Sequence, residues 1–183
     1  MSKKSLLIPV ILIVLALAIV AVVLILALGG GGDKNIINPD DPMPLRFAQA
    51  VLICDQEEIR NCVHENMANE FVNRYGANEV RFEDCTATIS KESALLRDGL
   101  EQYSSQLNRD YNIQATLEDG CFYTVDFTAK YNGKDYSGSM TILTVSFAGR
   151  EYVISVELDR IDDAFYQDNY PAGDYYYDMF GEY

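Results

Sequence analysis

His64 is the sole histidine of the chain and the only imidazole available as a general base. It stands between Val63 and Glu65 in a stretch of helical periodicity, where it reads as a partly exposed helix residue. Asp126 is the enzymatic candidate, a carboxylate that could act as a general base. Asp126 alternates with Thr124, Thr128 and Lys130. A strand face of that composition is wet, so no catalytic role is expected of it. Glu57 with Glu58, and Asp162 with Asp163, are adjacent carboxylates that could hold a cation, but without the glycine spacing of a cation loop they read as solvated surface. No C-x-x-C pair occurs and the histidine is single, which excludes the usual zinc arrangements. The residue types therefore predict no catalytic, cofactor-binding or metal-ligating side chain, and no cofactor.

The remaining reactive groups are Cys54, Cys62, Cys85 and Cys121. An even number of cysteines beyond a membrane-type segment predicts an oxidising compartment and two disulfides. Four cysteines allow three pairings, of which geometry removes one. Asp55 with Glu58 makes a capping box, so Cys62 falls about seven residues into a helix that begins just after Cys54, and their α-carbons are roughly 10 Å apart. A disulfide needs them within ~7 Å. Each of Cys54 and Cys62 is expected to reach Cys85 or Cys121, with both of those pairings open.

The elements that position these groups follow from the periodicity. Leu45 to Ile53 is apolar except at Arg46 and Gln49, which predicts a short helix buried on most sides. From Asp55, the residues Ile59, Cys62, Val63, Met67, Phe71 and Tyr75 recur at three- and four-residue steps up to Gly76, predicting one amphipathic helix. Val80 to Ile89 predicts a strand, and Asp98 with Glu101 a capped helix carrying Leu100, Tyr103 and Leu107 on one face. From Ile113 the period becomes two, with Cys121 to Tyr131 alternating as a strand with one buried face. Asn132-Gly133 closes that strand with a hairpin turn, Tyr136 to Phe147 runs back, Ala148-Gly149 turns again, and Glu151 to Leu158 is the last strand. The order predicts an α+β domain over residues 45–160, with helices packed on one face of a curved antiparallel sheet.

Outside that domain the chain divides into four further parts. Leu6 to Leu28 is an uncharged apolar run of 23 residues, long enough to span a ~30 Å hydrocarbon layer. It is longer than the ~7–15 residue core of a cleaved signal, so it reads as an uncleaved transmembrane anchor. Lys3 and Lys4 hold residues 1–5 in the cytoplasm and place the rest outside the cell membrane. Residues 29–44, with four glycines and three prolines, form a spacer of roughly 20 Å reach. Residues 161–183 carry six acids, no base and eight aromatics without either period. They read as an acidic, tyrosine-rich tail that contributes little to folding, so that cutting after Arg160 leaves stability nearly unchanged. Beyond the anchor, 12 bases against 28 acids leave a net charge of −16, which excludes nucleic acid as a partner.

The short apolar helix ending in an acidic turn (Ala48 to Asp55), the amphipathic helix after it, the hairpin Tyr131-Asn132-Gly133-Lys134 and the ending Gly149-Arg150-Glu151-Tyr152-Val153-Ile154 carry a resemblance. Residues from about 45 to 158 resemble the nuclear transport factor 2-like, cystatin-like cone found in small extracytoplasmic bacterial proteins. The last strand of such domains commonly reads Gly-Lys-Trp-Tyr-Val, and here Glu151 takes the tryptophan position. The resemblance implies the cone fold, which hosts enzymes, binding modules and scaffolds alike. The expected function is a membrane-anchored extracytoplasmic binding or interaction module without catalysis, meeting an envelope protein or a small ligand. The alternative is an isomerase- or cyclase-type enzyme acting in the cone's cavity.

Overall fold

The computed structural model describes residues 37–77 and 80–169. The expected anchor, the first eight residues of the spacer and the end of the tail (170–183) lie outside them. No helix among the described residues is long and apolar enough to cross a membrane. Among the described residues, five helices and four strands follow one another as α1 (Met43–Ile53), α2 (Gln56–Cys62), α3 (Glu65–Tyr75), β1 (Glu83–Ala94), α4 (Arg97–Tyr111), β2 (Asp119–Tyr131), β3 (Lys134–Phe147), β4 (Arg150–Ile161) and α5 (Asp163–Asn169). The sheet is antiparallel throughout, in the order β1-β2-β3-β4. The α+β class and the meander expected from the sequence are therefore present.

Helix α1 buries Phe47, Ala48 and Ala50 to Ile53, as its nearly continuous apolar composition requires. It ends in a Schellman arrangement: Cys54, at φ 56°, donates to Val51 O, and Asp55 N donates to Ala50 O at 2.8 Å. Asp55 then caps α2, its side chain accepting from the amides of Glu57 and Glu58. A left-handed residue and an N-cap in succession make the sharp α1–α2 corner, and the cap contributes about 1 kcal/mol.

The single helix expected from Asp55 to Tyr75 is in fact two. Val63 and His64 take extended backbone angles, and the His64 side chain restarts the helix by accepting from Asn66 N. The apolar spacing runs through the break because Val63 and Met67 both stay buried. Periodicity therefore hides the kink. The first strand begins three residues later than expected, because Val80 to Phe82 runs beside the end of α1, where Phe82 N donates to Leu52 O at 2.9 Å. It continues through polar Ser90 to Ser93 because backbone pairing to β2, not burial, holds that half. Asp98 is not the cap of α4. Leu96 occupies that position and Asp98 lies in the first turn, since Leu95 N is tied to Gly120 O and sets where the chain can begin to wind.

Both hairpin turns form as expected, with positive φ at Asn132 and Gly133 and again at Ala148 and Gly149. Register shifts interrupt both edge strands, between Glu83 and Thr86 and between Ile89 and Lys91 on β1, and opposite Ser139/Met140 and Leu143/Thr144 on β4. Such bulges bend the sheet and spoil its edges for pairing with another chain. Aromatic rings pack together in the core. Phe47 meets Phe71 and Tyr75 edge-on, while Phe82, Tyr131 and Tyr136 surround Phe165 at centroid distances of 5.1 to 5.7 Å. Phe165 belongs to α5 and is fully buried. The opening residues of the supposed tail are thus part of the domain: Ile161 closes β4 inside the core, and Asp162 accepts from both the amide and the hydroxyl of Ser137.

Candidate functional site

The start of α3, the segment after α4 and the β3–β4 turn converge on one cleft. His64 and Asn66 come from the first, Asn112 to Thr116 from the second, Phe147 and Ala148 from the third, around a cavity of ≈ 360 Å³. Asn112 ends α4 in the left-handed conformation that asparagine tolerates. The segment after it is then fixed by Ile113 N donating to Leu107 O at 3.1 Å, by Ser104 donating to Ala115 O, and by Glu118 N donating to Ser146 O at 2.8 Å. Asn66 Nδ2 donates to Tyr111 O at 3.0 Å and ties α3 to the end of α4.

His64 is held on three sides. Its ring lies 5.8 Å from that of Phe147 and 5.4 Å from that of Tyr152, and those two rings stack on each other at 4.6 Å. Arg150 lies over the Tyr152 ring, 5.3 Å from its centroid, and donates to Asn61 O, joining the β4 start to the end of α2. His64 Nδ1 accepts from Asn66 N at 3.2 Å. That bond engages Nδ1 in capping α3, and the ring contributes to the lining of the cleft. The amides of Asn66 and Gln114 and the Thr116 hydroxyl add polar lining, with the Phe147 ring as the apolar wall. No carboxylate or thiol lines the cleft. It can bind and orient a small neutral molecule through a flat face and hydrogen bonds.

The other predicted candidates lie elsewhere. Asp126 is exposed, paired across the sheet with Thr88 and Ser139. Glu57 is exposed, but Glu58 is not solvated surface: it accepts from Arg46 Nε at 2.7 Å and from Asn61 Nδ2 at 3.2 Å, with the Cys62 thiol at 3.6 Å. Asp162 likewise serves the fold through Ser137, while Asp163 is exposed. Among the described residues no cluster of three histidine, cysteine or acidic side chains is placed to hold a metal ion.

Cys62 and Cys85 are buried, and Cys54 and Cys121 half-buried. Burial, and then the Glu58 carboxylate, push the Cys62 thiol up to about 12; burial, Asp84 and Cys54 do the same for Cys85. Cys121 stands on β2 next to Tyr123, whose hydroxyl is pushed up to about 12 by burial first and then by Cys121. Glu151 adds to that shift and accepts from the buried Thr144 hydroxyl at 2.6 Å. Sequence reasoning missed this group, and it missed Gln114, Thr116 and Phe147 as partners of His64. Alternation marks Phe147 and Thr144 as strand residues without saying what crosses their ends. No protein-family model, curated protein or solved structure matches the chain.

Proposed function

We propose that the protein is a membrane-anchored, extracytoplasmic binding module of the nuclear transport factor 2-like, cystatin-like kind, and that it takes a small neutral ligand in the cleft beside His64. The carrying observation is the lining of that cleft, where the one imidazole caps α3 through Nδ1 and stands beside amides, a hydroxyl and an aromatic wall. A volume of ≈ 360 Å³ falls at the lower end of small-molecule sites. The net charge of −16 beyond the anchor disfavours anions and leaves neutral amides or sugars as the matching chemistry. The open, hydroxyl-rich setting of Asp126 supports a module without catalysis over an isomerase or cyclase.

Saturation-transfer NMR with the full chain in nanodiscs, against a library of small neutral amides and sugars, tests the site. Binders are expected whose affinity falls about tenfold, ~1.4 kcal/mol, in Gln114→Ala and Thr116→Val, both exposed positions that leave the fold intact. Binding that neither substitution changes would move the site away from the cleft, and a library without binders would sink the reading.

Topology is tested separately. Lys3 and Lys4 before the 23-residue run support an inside N-terminus. Protease added to intact cells or spheroplasts is expected to remove the domain, and full protection would reverse the orientation.

A further inference from the structure

Cys54 and Cys85 meet at the seam between α1 and β1. The end of α1 lies against the segment that leads into β1: Phe82 N donates to Leu52 O at 2.9 Å, and the Cys54 thiol donates to Val80 O at 3.6 Å. Cys85 follows three residues after Phe82, buried in the core at the first irregularity of β1, beside Asp84 with its positive φ. Cys54 is among the groups that push the Cys85 thiol up, after burial and Asp84. Cys54 itself holds the left-handed corner position, φ 56°, where glycine or asparagine is the ordinary residue.

The sheet register separates the other candidate. Cys121 pairs with Ala94 at the far end of the β1–β2 ladder, nine residues beyond Cys85, about 30 Å along the strand. A corner that lies against Val80 and Phe82 cannot also reach Cys121. Cys62 is at the end of α2 with its thiol on Glu58.

We propose that Cys54 and Cys85 are the site of a disulfide that staples the α1–α2 corner to the first strand. The oxidant is a small-molecule or protein disulfide of the outer compartment. The half-buried Cys54, as thiolate, attacks one oxidant sulfur, forming a mixed disulfide and releasing one thiol. Cys85 then attacks Cys54 Sγ, closing the internal bond and releasing the second thiol. Two cysteine thiols are oxidised, one external disulfide is reduced to two thiols, and both protons pass to the departing sulfurs. The buried Cys85 thiol is a poor first nucleophile and fits the second, intramolecular step.

Occurrence of the bond in cells rests on the outside placement of the domain; the pairing itself does not. The full chain in detergent micelles is incubated with oxidised glutathione, alkylated without reduction, digested and mapped by mass spectrometry. A peptide linking Cys54 to Cys85 is expected as the main product, retained in a Cys62→Ser/Cys121→Ser background and absent from Cys54→Ser. In the double variant, reduction is expected to lower the urea midpoint. Cys54 linked to Cys62 or Cys121, or Cys54 left as a lasting glutathione adduct with Cys85 alkylated, overturns the pairing. Mapping of the chain taken directly from membranes separates the two readings: a bond that forms with glutathione but is absent from cells upholds the pairing and overturns the outside placement.

Discussion

Phe165→Ala is expected to destabilise the domain by about 3–5 kcal/mol, the range for removing a fully buried aromatic side chain. The ring is entirely inaccessible and lies among Phe82, Tyr131 and Tyr136, edge-on to the last at 5.1 Å. Helix α5 has seven residues and cannot persist by its own propensity, so the aromatic contact is what holds it. Asp162 at its start fixes the entry angle through Ser137, and Lys134 and Tyr136 both reach Asp168 near its end. Cutting the full chain after Arg160 removes all of these and is expected to cost at least as much as the point substitution, reversing the expectation from composition that the segment is dispensable. Urea unfolding of the full chain, with Asp163→Asn as an exposed control near zero, is the measurement. A loss below ~1 kcal/mol for Phe165→Ala would show that α5 does not hold its ring in the core.

That segment shows where sequence reasoning stops. Residues 161–183 carry no 3.6-residue stripe, because one buried ring on a seven-residue helix leaves no period to detect. The opposite error arises at Val63 and His64, where an unbroken stripe from Ile59 to Tyr75 concealed a break, since both segments present their apolar residues to the same core. The hairpins were legible because Asn132-Gly133 and Ala148-Gly149 state their backbone requirement locally. Caps were legible only where the side chain decides the matter. Asp55 does so, whereas Asp98 is overridden by the tie between Leu95 and Gly120, 25 positions apart.

The cleft was half legible. His64 stood out as the only imidazole, but its role as a cap depends on the backbone break that periodicity hid. Its neighbours arrive from a loop and a turn: Gln114 and Thr116 follow the change of period at Ile113, which points to a strand where residues 112–118 are a loop, and Phe147 is indistinguishable in sequence from any other strand-end aromatic. Asn112, followed by a change of period at Ile113, is the one local signal that the chain turns sharply there.

Gly138→Ala is expected to cost on the order of 3 kcal/mol, the upper end for overpacking, although it adds a single methyl. Gly138 is buried at the middle of a row that runs from Phe127 on β2 through β3 to Ile161 on β4. A Cβ at that position lies 2.5 Å from the Arg160 carbonyl oxygen and closer still to the Phe127 ring. Phe127 is itself buried and cannot swing away into solvent. Arg160 belongs to the β4 backbone next to a register shift, so moving its carbonyl breaks ladder pairing and displaces Ile161 and Asp162, the two residues that deliver α5 to the core. Gly133→Ala separates this effect from backbone preference: that glycine has a positive φ and open space around it, so its substitution is expected to cost only about 1 kcal/mol. Equal urea midpoints for the two variants would mean that β4 yields at Arg160 without losing its register. A large loss at Gly138 that is not increased by adding Phe165→Ala would show instead that overpacking the row had already undocked α5, coupling the last strand to the segment that composition marks as a tail.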